Sequence, residues 1–407
     1  MSSKERSSVV AGSGAVLVPK LRFPEFQDAS AWDTAPGDEL FQQVSNREAP
    51  PGLPILAITQ EHGAIPRHLI DYNVSVTDKS LETYKEVRPG DFIISLRSFQ
   101  GGIEFSDYHG ICSPAYVILR KRGQLSDRFY RQHFKSHAFI QQLTRNLEGL
   151  RDGKMISYKQ FSELQVLKPT PPEQQKIADC LDSADALIAA QVRKVEVLRT
   201  YKKGLMQQLF PQEGETQPRL RFPEFEGAGE WEEVAVSRVA KITTGSRDTQ
   251  NKVEDGEFPF FVRSQTVERI DSFAFDCEAV LTSGDGVGVG KNFHYIDGKF
   301  DFHQRVYCIY DFKKRLRGKF FFYFFSEFFG SRVMKMSAKN SVDSVRMAMI
   351  AEMPILLPSP QEQERIANCL TSIDDLIAAE TRKLDLLKTH KKGLMQQLFP
   401  YVGEADE

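Results

Sequence analysis

Residues 171–211 read PPEQQKIADCLDSADALIAAQVRKVEVLRTYKKGLMQQLFP, and residues 360–400 read PQEQERIANCLTSIDDLIAAETRKLDLLKTHKKGLMQQLFP. They align without a gap at an offset of 189 residues, with about two-thirds of positions identical. Chance does not produce that over such a length, so the chain carries an internal duplication. In the first copy Ile177, Leu181, Ala184, Ile188, Gln191, Val195, Leu198, Lys202, Leu205 and Leu209 alternate spacings of four and three. The second copy repeats the pattern from Ile366 to Leu398. A 3.5-residue apolar period sustained this long predicts a coiled-coil helix. Pro171 and Pro172 suit a first turn, Glu173 suits the positive end of the dipole, and Pro211 halts the run. Each helix is expected to be roughly 55 Å long. Two matching seams in one chain are most simply satisfied by packing on each other, not each on its own domain. The polar seam positions, Gln191 with its counterpart Glu380 and Lys202 with Lys391, are expected to fix the register. Cys180 and Cys369 lie one residue from the seam and read as packing residues.

A shorter repeat precedes each half. Residues 19–26 read PKLRFPEF and residues 218–225 read PRLRFPEF, each followed six residues later by a tryptophan, Trp32 and Trp231. Between the repeats, residues 32–168 and 231–357 show no comparable identity. The layout is therefore a leader at 1–18, a first domain at 19–170, a first long helix at 171–211, a linker at 212–217, a second domain at 218–359, a second long helix at 360–400, and an acidic tail at 401–407. The leader reads as disordered and not as a signal peptide, because Gly12 and Gly14 break its apolar run.

Both variable domains read as mixed α/β, with short strands first and a helix near the end. Leu53 to Thr59, Asp91 to Leu96 and Ala115 to Leu119 are apolar or β-branched runs bounded by Gly and Pro. Phe258 to Arg263, Ala279 to Leu281 and Arg305 to Ile309 match them in order, with Gly90-Asp91 opposite Gly284-Asp285 and Tyr116 opposite Tyr307. The two domains are expected to share a fold and to differ in surface. After the third strand each domain carries a basic run. Residues 120–154 hold nine Lys/Arg against Asp127, Glu148 and Asp152, and residues 313–346 hold nine against Glu327 and Asp343. One such run reads equally well as a solvated face, but recurrence in a chain of net charge −2 points to phosphate neutralisation and so to DNA or RNA.

The sequence offers little chemistry. Five cysteines in 407 residues form no CxxC and have no close His partner, which fits reduced thiols in a cytoplasmic protein. The densest apolar stretch, Phe320 to Phe329, is too short to span a bilayer and contains Glu327. The loop Gly284-Asp285-Gly286-Val287-Gly288-Val289-Gly290-Lys291 lacks the phosphate-loop glycine at Asp285 and the Ser or Thr at Asn292. It reads as a loop that lets the backbone approach a partner. Asp285 with Asp297-Gly298-Lys299 has the outline of a degenerate metal-dependent nuclease site, the alternative being a self-contained restriction enzyme. A coiled-coil adaptor that binds proteins is a further alternative. There is no HExxH, no GxSxG and no Asn/Asp-Pro-Pro-aromatic tetrad.

Two unlike domains, two repeated helices and basic clusters without catalytic motifs resemble the specificity subunit of type I restriction-modification enzymes, over nearly the whole chain from Pro19 to Pro400. The most specific marks are the helix starts Pro171/Glu173-Gln174/Ile177-Ala178 and Pro360/Glu362-Gln363/Ile366-Ala367, with the KKGLMQQLFP helix ends. LPILAITQEHG at 53–63, FFVRSQT at 260–266 and the glycine-rich loop are weaker marks. The resemblance implies an α+β fold: two mixed α/β target-recognition domains joined by an antiparallel coiled coil, in a pseudo-twofold tandem duplication. It implies a non-catalytic subunit that reads a bipartite, asymmetric site on double-stranded DNA, with the coiled coil as a ruler. Two methyltransferase subunits and restriction or translocase subunits would dock on it. S-adenosylmethionine, ATP and Mg would be held by those partners, with no cofactor on this chain and no membrane. Charge and loop position nominate Gln60, Arg97, Ser98, Arg120, Arg122 and Lys154 as DNA contacts in the first domain. In the second they nominate Arg263, Gln265, Lys291, Arg315, Arg317 and Lys339.

Overall fold

The computed structural model describes residues 17–70, 81–145, 156–336 and 344–402. Most of the leader, the end of the acidic tail, and Arg151, Lys154 and Lys339 lie outside these. The chain divides into two compact units, residues 1–191 with 383–407, and residues 192–382. Each unit thus holds one variable domain, the start of the helix that follows it, and the end of the other long helix.

In the first unit, strands β1 (Asp33–Pro36), β2 (Phe41–Val44), β3 (Leu56–Thr59), β4 (Gly63–Pro66), β5 (Lys85–Val87), β6 (Phe92–Ile94), β7 (Glu104–Phe105), β8 (Gly110–Cys112), β9 (Val117–Lys121) and β10 (Gln165–Lys168) form one four-stranded sheet, ordered β2-β9-β6-β7, and the pairs β1-β10, β3-β4 and β5-β8. Helices α1 (Asp127–His133), α2 (His137–Arg145) and α3 (Tyr158–Ser162) lie beside the sheet. Their shared core is aromatic. Phe41, Phe92, Phe129, Tyr130, Phe134, Phe139 and Phe161 are all fully buried, and full burial of one such ring stabilises by roughly 1.5–3 kcal/mol. The long helix α4 (Pro171–Leu209) sinks Ile177, Ala178 and Leu181 into the same core.

The second unit repeats this plan. Strands β11 (Glu232–Ala235), β12 (Lys241–Thr244), β13 (Phe258–Phe261), β14 (Val267–Ile270), β15 (Phe275–Ser283), β16 (Phe293–Phe302), β17 (Val306–Tyr310) and β18 (Pro354–Leu357) give a six-stranded sheet, ordered β12-β17-β15-β16-β13-β14, and the pair β11-β18. The order β12-β17-β15-β16 matches β2-β9-β6-β7 in the first unit, with β3-β4 and β13-β14 as counterpart hairpins. The expected strands are all present, within a few residues of their predicted ends. Helix α5 (Gly318–Met336) takes up the apolar stretch and buries Phe320, Phe321, Phe324, Phe325 and Phe329. Helix α6 (Met347–Ala351) and the second long helix α7 (Pro360–Leu398) follow. No helix among the described residues is long and apolar enough to cross a membrane.

Ladder register corrects two expected equivalences. Gly90-Asp91 precedes β6, whereas Gly284-Asp285 follows β15, because β15 runs nine residues where β6 runs three. Phe92 pairs with Leu119 and Val280 with Ile309, each pair in the core its domain's helices share, so the counterpart of the Gly284 loop is the one that begins at Leu96. Tyr116 likewise turns into β9, while Tyr307 lies inside β17 at the place of Val117.

The two repeat signatures hold each other. Arg22 of the first LRFPEF block donates to Glu173 at 2.8 and 2.9 Å, and to the carbonyls of Ala29 (2.7 Å) and Ser30 (2.9 Å). Arg221 does the same to Glu362, Ala228 and Gly229. Both carboxylates are 1% exposed. The next residues of each helix start are used alike. Gln174 accepts from the Ser126 amide and donates to the Pro169 carbonyl, and Gln363 accepts from Arg317 and donates to Pro358 and Arg315.

The long helices pack together within each unit. In the first unit Lys391 clasps Asp185 at 2.6 and 2.7 Å, and in the second Lys202 clasps Asp374 at 2.6 and 2.8 Å. These pairs count in opposite directions along the two helices, so the coiled coil is antiparallel. The seam lysines hold register through aspartates of the facing helix and not through one another, as two ammonium groups would repel. Lys194 adds a pair with Glu380 at 2.5 Å, and Gln191 is buried. Cys180 and Cys369 are partly buried free thiols, as are or more deeply the other three.

The end of α7 also completes the first domain's core. Leu398 and Phe399 are buried there, and the Phe399 ring lies 5.6 Å from Phe129 and 5.5 Å from His133. His133 is buried among aromatic rings, and neither of its ring nitrogens has a hydrogen-bond partner among the described residues. In the second unit Phe210, at the end of α4, packs against Phe320, Phe324 and Phe328.

Two outcomes are expected. Glu173→Ala leaves a buried guanidinium without its carboxylate and lowers unfolding free energy by about 3–5 kcal/mol, whereas Arg22→Met with Glu173→Met recovers much of the loss; urea titration compares them. Burial pushes the His133 imidazole down to about 3. The unfolded chain therefore takes up that proton first, and stability present above pH ~6.5 is lost as pH falls toward 3. Thermal melts from pH 7 to pH 4 should show His133→Phe losing less stability than the unaltered chain, by a few kcal/mol.

Candidate nucleic-acid interface

The basic runs are largely engaged within the chain. In the first unit α1 lies along α4, so Arg128 pairs with Asp179 (2.7 Å) and Asp182 (2.6 Å). Lys121 pairs with Asp127, Arg131 with Asp107, and Lys135 with Glu104. Arg120 makes a two-pronged pair with buried Asp91, both contacts at 2.7 Å. In the second unit Arg332 donates to the carbonyls of Met349 and Glu352, Lys335 pairs with Glu213, and Arg315 with Glu232. Arg315 and Arg317 sit at the start of α7, where their backbones bond Gln363. Arg122 is exposed at the end of β9. Ser98 is 1% exposed and its hydroxyl accepts from the Ser95 amide at 2.9 Å, a loop-building role.

The other nominated residues gather at two loop clusters. In the first domain the β3-β4 turn places exposed Gln60 against the loop after β6, where its amide donates to the Arg97 carbonyl at 3.3 Å. Arg97 is exposed, as is its neighbour Leu96. Gly102 has φ +80°, and a β-carbon there would fall 2.0 Å from the Phe134 carbonyl, so only glycine lets this loop lie against the domain.

In the second domain the β13-β14 turn carries exposed Arg263 and Gln265 beside the loop after β15, which ends at exposed Lys291. Asp285 is the centre of this cluster. Its Oδ1 accepts from Arg263 at 3.0 Å and its Oδ2 from Arg305 at 2.5 Å. Partial burial alone would raise the Asp285 pKa, but the two guanidinium groups hold it below its usual range. Asn292 donates to the Arg263 carbonyl at 2.9 Å and to Ser283, tying turn to loop. His303 lies nearby, its pKa lowered by burial and by the field of Arg263.

Sequence reasoning missed Arg305 and assigned Asp285 to a nuclease outline. The carboxylate is occupied by two arginines, and the Lys299 ammonium lies 4.7 Å from the Phe273 ring centre, an arrangement of cation over aromatic face. Among the described residues no group of three or more His, Cys, Asp or Glu is placed to hold a metal ion. The local signal was an acid set between Gly284 and Gly286 at a strand end, whose cationic partners stand 22 and 20 positions away.

Exposed arginines thus stand on two matching loop clusters, one in each variable domain, in a duplicated scaffold of antiparallel helices. The family model described as the type I restriction modification DNA specificity domain matches residues 228–389. The type I restriction enzyme EcoDI specificity subunit of Escherichia coli is 27% identical over 44% of this chain and 38% of its own length. The MjaVIII specificity subunit of Methanocaldococcus jannaschii is 26% identical over 80% of this chain and 81% of its own. In fold, the chain is similar to the S subunit of a type I restriction-modification system from M. genitalium, with TM-score 0.58 and 15% identity over 94% of this chain and 99% of that one. A chain from a type I R-M system solved in a study of its complex assembly matches with TM-score 0.53 and 18% identity, over 91% and 97%. Residues 228–389 thus carry the type I restriction modification DNA specificity domain, and the chain as a whole is similar to specificity subunits of type I restriction-modification systems.

Proposed function

We propose that this chain reads a bipartite, asymmetric site on double-stranded DNA and carries the catalytic subunits of a type I restriction-modification complex to it. The observation that supports this best is the pair of matching loop clusters, Gln60 with Arg97 and Arg263 with Arg305 and Lys291, on domains whose folds agree and whose surfaces do not. Arginine forks suit purine acceptor atoms in the major groove, and the remaining exposed cations suit phosphates. Unlike readers imply unlike half-sites. Of the nominated contacts, Gln60, Arg97, Arg122, Arg263, Gln265 and Lys291 are retained; Lys154 and Lys339 rest on sequence alone.

The coiled coil supplies the docking surface for partners. Leu187 and Leu386 in the first unit, and Leu376 and Val197 in the second, are 43–70% exposed, and each pair is the 189-residue counterpart of the other. Tyr201 extends the second set at 60% exposed. Two equivalent apolar patches fit two copies of one methyltransferase subunit, with restriction or translocase subunits joining that assembly. S-adenosylmethionine, ATP and Mg belong to those partners, and the complex works in the cytoplasm, where the DNA is.

Co-expression with a neighbouring methyltransferase, followed by genome-wide mapping of modified adenines, tests the reading. A bipartite asymmetric motif is expected, and unmodified DNA from an active complex would contradict it. Exchange of residues 32–168 for another recognition domain should change one half-site only, and DNA affinity should fall steeply with salt. Val197→Asp and Leu386→Asp should change stability by less than about 0.5 kcal/mol. Each should release one methyltransferase copy, read as a mass change by light scattering.

A further inference from the structure

The glycine-rich loop after β15 holds one residue that its packing does not use. Val287 is 96% exposed, although the loop around it is firmly built. Gly286 and Gly290 have φ of +76° and +65°, and Gly290 lies directly against Gly330 of α5, where a β-carbon would fall 3.1 Å from that backbone. A β-carbon on Gly288 would fall 2.1 Å from the Asn292 amide and 2.8 Å from the Arg263 carbonyl. Val289 packs inward on the core. The loop is thus pinned on both sides of an aliphatic tip, beside Asp285 with its two arginines.

One exposed aliphatic residue alone carries no meaning. This one has a counterpart. Ladder register makes the loop after β6 the equivalent loop, and there Leu96 is 53% exposed beside exposed Arg97, with Gln60 braced against the same loop. Two domains that share no comparable sequence each carry an exposed aliphatic residue and an arginine in this loop region, Leu96 with Arg97 in one, and Val287 two residues from Asp285 and its pair of arginines in the other. Cations on either side fit a polyanion and would be a poor rim for an apolar protein partner.

Resting on the DNA-reading function above, we propose that Val287 and Leu96 are base-contacting residues that meet thymine methyl groups in the major groove, one in each half-site. Arg263 and Arg305 take purine acceptor atoms beside Val287, and Asp285 is the positioning residue that holds both guanidinium groups as a fork. The chemistry is that of a groove edge. A thymine methyl offers an apolar contact, and the adjoining purine offers N7 and O6 to a guanidinium.

Selection from a randomised duplex library by the full chain in complex with its methyltransferase tests this. Val287→Ser should relax a thymine preference in one half-site by about tenfold, and Leu96→Ser should do so in the other half-site. Neither should change the salt dependence, since no charge is removed. Both side chains are exposed, so folding is unaffected, and matching thermal midpoints check this. Asp285→Asn should relax purine preference in the Val287 half-site at unchanged salt dependence, and Arg305→Lys should do the same without removing the carboxylate. Recovery of the unaltered motif by both serine variants, or change of one and the same half-site by both, would overturn the inference while leaving DNA reading intact. A wild-type complex that recovers no motif would instead overturn the DNA reading itself.

Discussion

A guanidinium buried against a carboxylate at a helix start sets the geometry of each half of this protein. Arg22 with Glu173, and Arg221 with Glu362, are taken out of water almost completely. Such a pair is tolerable only when every donor and acceptor is matched. Here two backbone carbonyls complete each arginine, and the glutamine after each glutamate bonds the neighbouring loop. The entry block, the domain and the first turn of the long helix are thereby fixed to one another before any apolar contact along the helix is counted. The helix can then present its seam lysines to aspartates of its antiparallel partner.

The duplicated helices were legible because a coiled coil writes its period directly into the chain. So was the domain plan, since turn-bounded β-branched runs announce strands. What escaped was pairing at a distance. The LRFPEF block gives no hint that its arginine belongs to a glutamate some 150 positions later, and Glu173 read as no more than a favourable charge at a helix start. The Gly90 and Gly284 turns looked equivalent because local sequence shows a turn but not the length of the strand beside it. Only the ladder separates them.

For the interface, counting charge proved a weaker guide than locating loops. The runs at 120–154 and 313–346 hold the most cations, yet most of those described meet acids or carbonyls of the same chain. An acidic partner such as Asp179 or Asp182 lies on a different element, so the sequence shows the surplus without its neutralisation. Gln60, Arg97, Arg263 and Lys291 were found from their loop positions and remain exposed. Arg305 was missed because it stands at the edge of a strand, where its link to Asp285 depends on how β15 and β17 are registered.

Phe399 in the core beside Phe129 has a consequence for biosynthesis. During translation the first domain emerges long before the residue that completes its packing. At about 5–20 residues per second, synthesis of the intervening segment takes on the order of ten seconds or more. Through that interval the aromatic cluster around His133 is open on one side. The first domain to leave the ribosome is therefore the last to close.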